Sequence, residues 1–145
     1  MSILVDGDGC AGRDIIESVA KKHQLDLIVY CDINHVITLN YGEVKVCDSE
    51  FQSVDNILFN NCIAKDIVVT QDYGVAAMVI SKKAFAVSPS GFVYDESNID
   101  RLLFERHMKA KARRGGQRTK GPKKRSKEDD ERLYRSLNNI ICSNK

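Results

Sequence analysis

A chain of 145 residues with 43% apolar content is sized for one domain with a core, which excludes a wholly disordered or collagen-like protein. No stretch approaches the roughly 20 apolar residues of a membrane-spanning helix, and Met1 to Leu4 runs straight into Asp6 and Asp8, so neither a membrane protein nor a secretory leader is expected. The five cysteines, Cys10, Cys31, Cys47, Cys62 and Cys142, are odd in number and contain no C-x-x-C pair, which argues against a disulfide framework and a thiolate zinc site and points to a reducing cytoplasm.

Ser2 to Val5 is a short apolar run that ends in Asp6-Gly7-Asp8-Gly9, after which Ile15, Ile16, Val19 and Ala20 recur on one helical face. This predicts strand, glycine turn, helix. Further buried strands are predicted at Leu25 to Cys31, Glu43 to Cys47, Asp66 to Thr70 and Ala84 to Val87. Between them, Val54, Ile57, Leu58 and Cys62 mark a short amphipathic helix around Asp55, and Asp72 opens another that carries Val75, Ala76, Val79 and Ile80. The alternation predicts an α/β fold with a central, mostly parallel β-sheet of about five strands flanked by helices.

Ser88-Pro89-Ser90-Gly91 is a turn signal at which the sheet is expected to end. Ile99, Leu102, Leu103 and Arg106 then recur at helical spacing. Ser126-Lys127-Glu128-Asp129 resembles a capping box, and Leu133, Leu137, Ile140 and Ile141 make an apolar stripe, so residues 126–142 are expected to form a helix that docks on the body. No internal repeat and no second core are visible, and residues 1–145 are taken as a single domain.

The net charge of +2 conceals a segregation. Residues 1–100 hold 7 Lys/Arg against 15 Asp/Glu, residues 101–127 hold 12 against 1, and residues 128–145 hold 3 against 4. The basic collar at 101–127 includes Arg113, Arg114, Arg118, Lys120, Lys123, Lys124 and Arg125, and could bind a polyanion by releasing its counterions. The alternative is a solvated linker, since the stretch from Gly115 to Pro122 has no apolar side chain to bury.

In an open α/β sheet the carboxyl ends of the strands border the ligand crevice. Asp6 and Asp8 follow the first predicted strand, Asp72 follows the fourth, and Asp55 begins the preceding helix. Carboxylates gathered at one crevice repel one another unless a cation neutralises them, and hard oxygen ligands suit Mg²⁺ or Mn²⁺. Each aspartate could instead cap a helix, which is the simpler role for Asp72 taken alone. The calcium-loop pattern is excluded, because Ala11 stands where that loop needs glycine and a strand precedes it. The start also resembles a haloacid-dehalogenase phosphatase, in which Asp6 would be the nucleophile and Asp8 the general acid. That family expects a later Gly-Asp-x-x-x-Asp-type motif, a lysine ahead of it and a cap domain, none of which is evident here.

Val5-Asp6-Gly7-Asp8-Gly9-Cys10, Asn34-His35, Ser53-Val54-Asp55, the run from Asp66 to Ala76, Asn98-Ile99, the run from Gly115 to Pro122, and Ser126 together resemble the bacterial YaiI/YqxD family over nearly the whole chain. The resemblance implies a PIN-like domain and, by analogy with metal-dependent ribonucleases of that superfamily, an RNA phosphodiesterase whose catalytic residues are Asp6, Asp8 and Asp72, with Asp6, Asp8, Asp55 and Asp72 on Mg²⁺ or Mn²⁺ and RNA as the partner. Cys10, Asn34, His35, Thr70 and Arg106 are candidates for contact with substrate or support of the ligands. Two departures stand out. Family members usually read Asp-Ala-Asp-Ala-Cys-Pro where this chain has Gly7, Gly9 and Ala11, which should loosen the loop, and an Asp common three residues before Asp55 is Gln52 here. The reading from another class is a non-catalytic RNA-binding or adaptor protein that keeps the fold and the basic arm. Oligomeric state is not legible.

Overall fold

The computed structural model describes residues 1–7, 10–33, 37–47, 53–116 and 124–144. Along the strands, side chains alternate between two apolar layers, as the period of an extended chain requires. In β1 (Ser2–Asp6), Ile3 and Val5 join one layer and Leu4 the other. In β2 (Asp26–Asp32), Leu27 and Val29 oppose Ile28 and Tyr30 in the same way. β3 (Glu43–Cys47), β4 (Ile67–Val69), β5 (Phe85–Val87) and β6 (Val93–Tyr94) complete one sheet in the order β3-β2-β1-β4-β5-β6. All neighbours pair in parallel except β5 and β6.

Helices cover both faces, the usual way to bury a parallel sheet. α1 (Arg13–His23) and α5 (Lys127–Ser143) lie on one side, where Ile16, Val19, Leu133, Leu137 and Ile141 pack against Ile3, Val5, Val29 and Val69. On the other, α2 (Val54–Asn61), α3 (Tyr73–Ser81) and α4 (Ile99–Arg114) bring Leu58, Val75, Val79 and Ile99 against Leu4, Tyr30, Val68 and Ala86. The α/β class with a mostly parallel sheet flanked by helices is therefore as expected. The predicted capping box is present, with the Asp129 amide donating to Ser126 Oγ at 3.3 Å and the Ser126 amide to Asp129 Oδ2 at 2.9 Å.

The sheet does not end at the Ser88–Gly91 turn. Beyond it, β6 returns antiparallel to β5, Val87 facing Val93 and Ala86 facing Tyr94. Two residues are too few for a period-2 pattern, so the strand leaves no signature in the sequence. The turn is held from the other side of the chain. Arg125 Nη1 donates to the Pro89 carbonyl at 2.7 Å and Ser136 Oγ to the Gly91 carbonyl at 2.5 Å.

The strand order places the switch in connection direction between β1 and β4. From β1 the chain moves outward through β2 and β3; from β4 it moves the opposite way. The connections diverge there, which opens a crevice at the carboxyl ends of these two strands.

Candidate active site at the carboxyl ends of β1 and β4

Asp6 is the last residue of β1, and Asp72 ends the three-residue turn Thr70-Gln71-Asp72 that leads from β4 into α3. Thr70 links them. Its side chain is fully buried, its Oγ1 donates to Asp6 Oδ2 at 3.1 Å and accepts the Asp72 amide at 3.0 Å. The Thr70 amide continues the β4–β5 pairing by donating to the Val87 carbonyl at 3.0 Å. The turn is therefore tied to the sheet by backbone and side chain alike.

Asp72 caps α3, as its simpler reading proposed. Oδ1 accepts the amides of Gly74 at 2.8 Å and Val75 at 3.4 Å. It does more than cap, because the same oxygen meets Arg106 Nη1 of α4 at 3.3 Å. Asp55 enters from the first turn of α2, whose cap is Ser53, with Oγ accepting the Asn56 amide at 3.2 Å. Asp6, Asp55, Gln71, Asp72, Tyr73, Arg106 and Arg113 line one open crevice of about 640 Å³.

Of the residues expected at the site, the structure thus gathers Asp6, Asp55, Asp72, Arg106 and Arg113 around one crevice, with Thr70 buried beneath. Asp8, Asn34, His35, Arg118, Lys120 and Lys123 lie outside the described residues. Among the described residues, no three His, Cys, Asp or Glu side chains stand close enough together to hold a metal ion. The donor chemistry still suits a hard cation, since Asp6, Asp55 and Asp72 offer only carboxylate oxygens and are contributed by three different elements.

Cys10 is buried beside the β1 loop, and burial pushes its thiol up to about 11, with Arg13 opposing in part. A thiol held protonated is a poor nucleophile, and Cys10 packs within the buried layer that α1 and α5 cover. Arg114 and Lys124 are exposed. Arg125 is engaged within the fold: besides Pro89 it pairs with Asp130, Nε at 2.8 Å and Nη2 at 2.6 Å.

Two crevice residues, Gln71 and Tyr73, were not singled out by sequence reasoning. Tyr73 stands edge-on to Tyr94 with ring centroids 5.7 Å apart. Of the other aromatics, Tyr94 is buried, Phe92 packs edge-on against it, and Tyr134 sits under Lys22 on the opposite layer. The signal for Tyr73 was its place directly after Asp72, at the mouth of a helix that follows a strand.

An α/β domain with an acidic crevice at its topological switch point, faced by a basic helix, is the class that fold and site define. The chain belongs to the YaiI/YqxD family: the family model described as "Uncharacterized BCR, YaiI/YqxD family" matches residues 4–143. It is 58% identical over 141 residues to a UPF0178 protein of Clostridium perfringens, covering 97% of this chain and 95% of that one. A UPF0178 protein of Clostridium kluyveri is 52% identical over 145 residues, covering 100% and 95%. One of Clostridium acetobutylicum is 43% identical over 147 aligned positions, covering 100% and 99%. Among solved structures, the chain is similar to Rae1 (YacP) from Bacillus subtilis, with a TM-score of 0.46 and 17% identity over 99% of each chain.

Proposed function

We propose that this protein is a metal-dependent phosphodiesterase that acts on nucleic acid, with RNA as its substrate, in the bacterial cytoplasm. The observation that carries the reading is the composition of one crevice: three aspartates from β1, α2 and the β4–α3 turn, faced by two arginines of α4. Carboxylates beside guanidinium groups are what a phosphodiester with a counter-cation requires, because one set holds the cation and the other the phosphate oxygens. Asp6, Asp55 and Asp72, which stand too far apart to hold an ion in the arrangement described, would have to close on Mg²⁺ or Mn²⁺ as it binds, with Asp8 as a further ligand. Such an ion supplies Lewis-acid stabilisation of the charge that grows on the phosphoryl oxygens. Arg106, which stands at the carboxylates, orients the phosphate, Arg113 adds a second guanidinium to the crevice, and a carboxylate oxygen not engaged by the ion accepts a hydrogen bond from the attacking water. Thr70 keeps Asp6 and the Asp72 turn in register.

A phosphatase of the haloacid-dehalogenase type is less well supported, since the cations lining the crevice among the described residues are arginines and none is a lysine. The non-catalytic RNA-binding reading draws on a different observation, the lack of a three-ligand group among the described residues.

Calorimetric titration with Mn²⁺ and Mg²⁺, beside a cleavage assay on mixed RNA and DNA, tests the proposal. The parent is expected to bind at least one ion and to cut RNA, and Asp6→Asn combined with Asp72→Asn to lose both while remaining folded. A double variant that binds Mn²⁺ as well as the parent would sink the site assignment. RNA binding that survives EDTA, with no cleavage by the parent at any metal concentration, would make the protein an RNA-binding module instead.

A further inference from the structure

Arg106 and Arg113 are seven residues apart on α4 and line the same crevice. Seven residues are close to two helical turns, so both side chains leave the same face of the helix, about 10 Å apart along its axis. Their surroundings differ. Arg106 reaches Asp72 Oδ1 at 3.3 Å and so stands at the carboxylates. Arg113 makes no side-chain hydrogen bond or ion pair among the described residues and lies in the last turn of the helix, where a cation is favoured by the helix dipole.

With attachment points so far apart on one face, the two guanidinium groups can each take a phosphate of their own. A stacked strand advances roughly 3.4 Å per phosphate along its axis, so about 10 Å corresponds to about three nucleotides, and to fewer where the strand is extended. We infer that α4 acts as a ruler: Arg106 holds the phosphate at the aspartates and Arg113 a second phosphate further along the same strand, so that the site selects an oligonucleotide over a mono- or dinucleotide. This rests on the nucleic-acid reading above and adds a substrate-length requirement, with Arg113 as the residue that sets it. The crevice is open to solvent, as a passing strand needs.

The test is the affinity of fluorescein-labelled oligouridylates of two, four and eight nucleotides, measured by anisotropy at low salt in Ca²⁺ and again in EDTA. Arg113→Gln is expected to weaken the octamer about tenfold, in line with loss of one charge-assisted contact, and the dimer by less than about twofold. It should also reduce the octamer's log-log salt slope by about 0.7, the contribution of one phosphate contact on a single strand. Arg106→Gln should weaken all lengths alike, and Arg113→Lys should recover part of the octamer's affinity. Arg113 is exposed at the end of its helix, so the fold should survive each change at that position. If the parent binds octamers but Arg113→Gln costs the dimer and the octamer equally, or costs neither, the ruler is wrong and the nucleic-acid reading stands. If the parent binds no oligomer in either buffer, the nucleic-acid reading falls and the ruler with it.

Discussion

Thr70 has no exposed surface, and its hydroxyl serves two partners, donating to Asp6 and accepting from the amide of Asp72. Replacing it by valine keeps the shape and leaves both partners without that bond, one of them a carboxylate at the proposed metal site. We expect Thr70→Val to cost about 1 to 3 kcal/mol of stability and to weaken Mn²⁺ binding by roughly 10- to 100-fold, the range for loss of a group that orients a ligand. Thr70→Ser should recover most of the metal affinity. Urea unfolding and calorimetry separate the two effects, and unchanged Mn²⁺ affinity in the valine variant would remove Thr70 from the site. Gly7 shows how a neighbouring position departs from its expected behaviour. It is buried, its amide donates to the Tyr30 carbonyl at 2.7 Å, and a Cβ there would stand 2.8 Å from both that oxygen and Val29 Cγ1. The glycine therefore permits a close approach of the loop to β2; it does not loosen the chain at that point.

The elements that border the collar divide its charges between two tasks. α4 extends to Arg114, so Arg101, Arg106, Lys109, Lys111, Arg113 and Arg114 are set on a regular helix, and a helical face can be matched to a strand of phosphates in a way that an irregular segment cannot. Arg125 belongs to the other task. With Asp130 and Pro89 it ties the start of α5 to the turn between β5 and β6, so a collar variant meant to probe nucleic acid should leave it intact. Gly91 completes that junction. Its φ of 89° is left-handed, and a Cβ would stand 2.4 Å from the Arg132 carbonyl carbon and 2.5 Å from the Leu133 amide. Gly91→Ala should destabilise the protein by about 1 to 3 kcal/mol from backbone strain alone, and by more if α5 must shift to relieve the clash. Chemical denaturation measures this; a variant as stable as the parent would show that the turn and α5 are not locked together.

At the scale of the whole molecule, two apolar layers on one sheet hold several ionisable groups away from water. Burial pushes the thiols of Cys10 and Cys62 from their ordinary 9.0 up to about 11, and the Tyr94 phenol from 10.0 up to about 12. The folded state keeps these protons more tightly than the unfolded chain does. Their contribution to stability is therefore complete below about pH 9 and is lost as pH rises, between 9 and about 11 for the cysteines and between 10 and about 12 for the tyrosine. Each group within its window lowers stability by about 1.4 kcal/mol per pH unit. Urea midpoints are expected to fall steadily from pH 9 to pH 11, and equal midpoints at those two values would contradict the assigned burial. Among the described residues no helix is long and apolar enough to cross a membrane.

Local patterns in the sequence were sufficient for the strand–helix alternation, the caps at Asp72 and Ser126, and the stripe that seats α5, because each depends on residues within a few positions of one another. Strand-end carboxylates were legible for a related reason: an apolar run that stops at an aspartate places that aspartate at a sheet edge whatever its neighbours are. Pairing decided the rest. β6 exists because Val93 and Tyr94 find β5 across a turn that Arg125 and Ser136 hold in place, and two residues carry no period of their own. The crevice exists because β1 and β4 are neighbours in the sheet, which brings Asp6 beside Thr70 across 64 positions and Arg106 beside Asp72 across 34. The basic run read as a uniform collar for the same reason. Only the packing of α4 against α3 turned Arg106 and Arg113 toward the aspartates, and only the docking of α5 drew Arg125 into the fold; contacts between residues so far apart in the chain are set by the burial of whole layers, not by any local pattern.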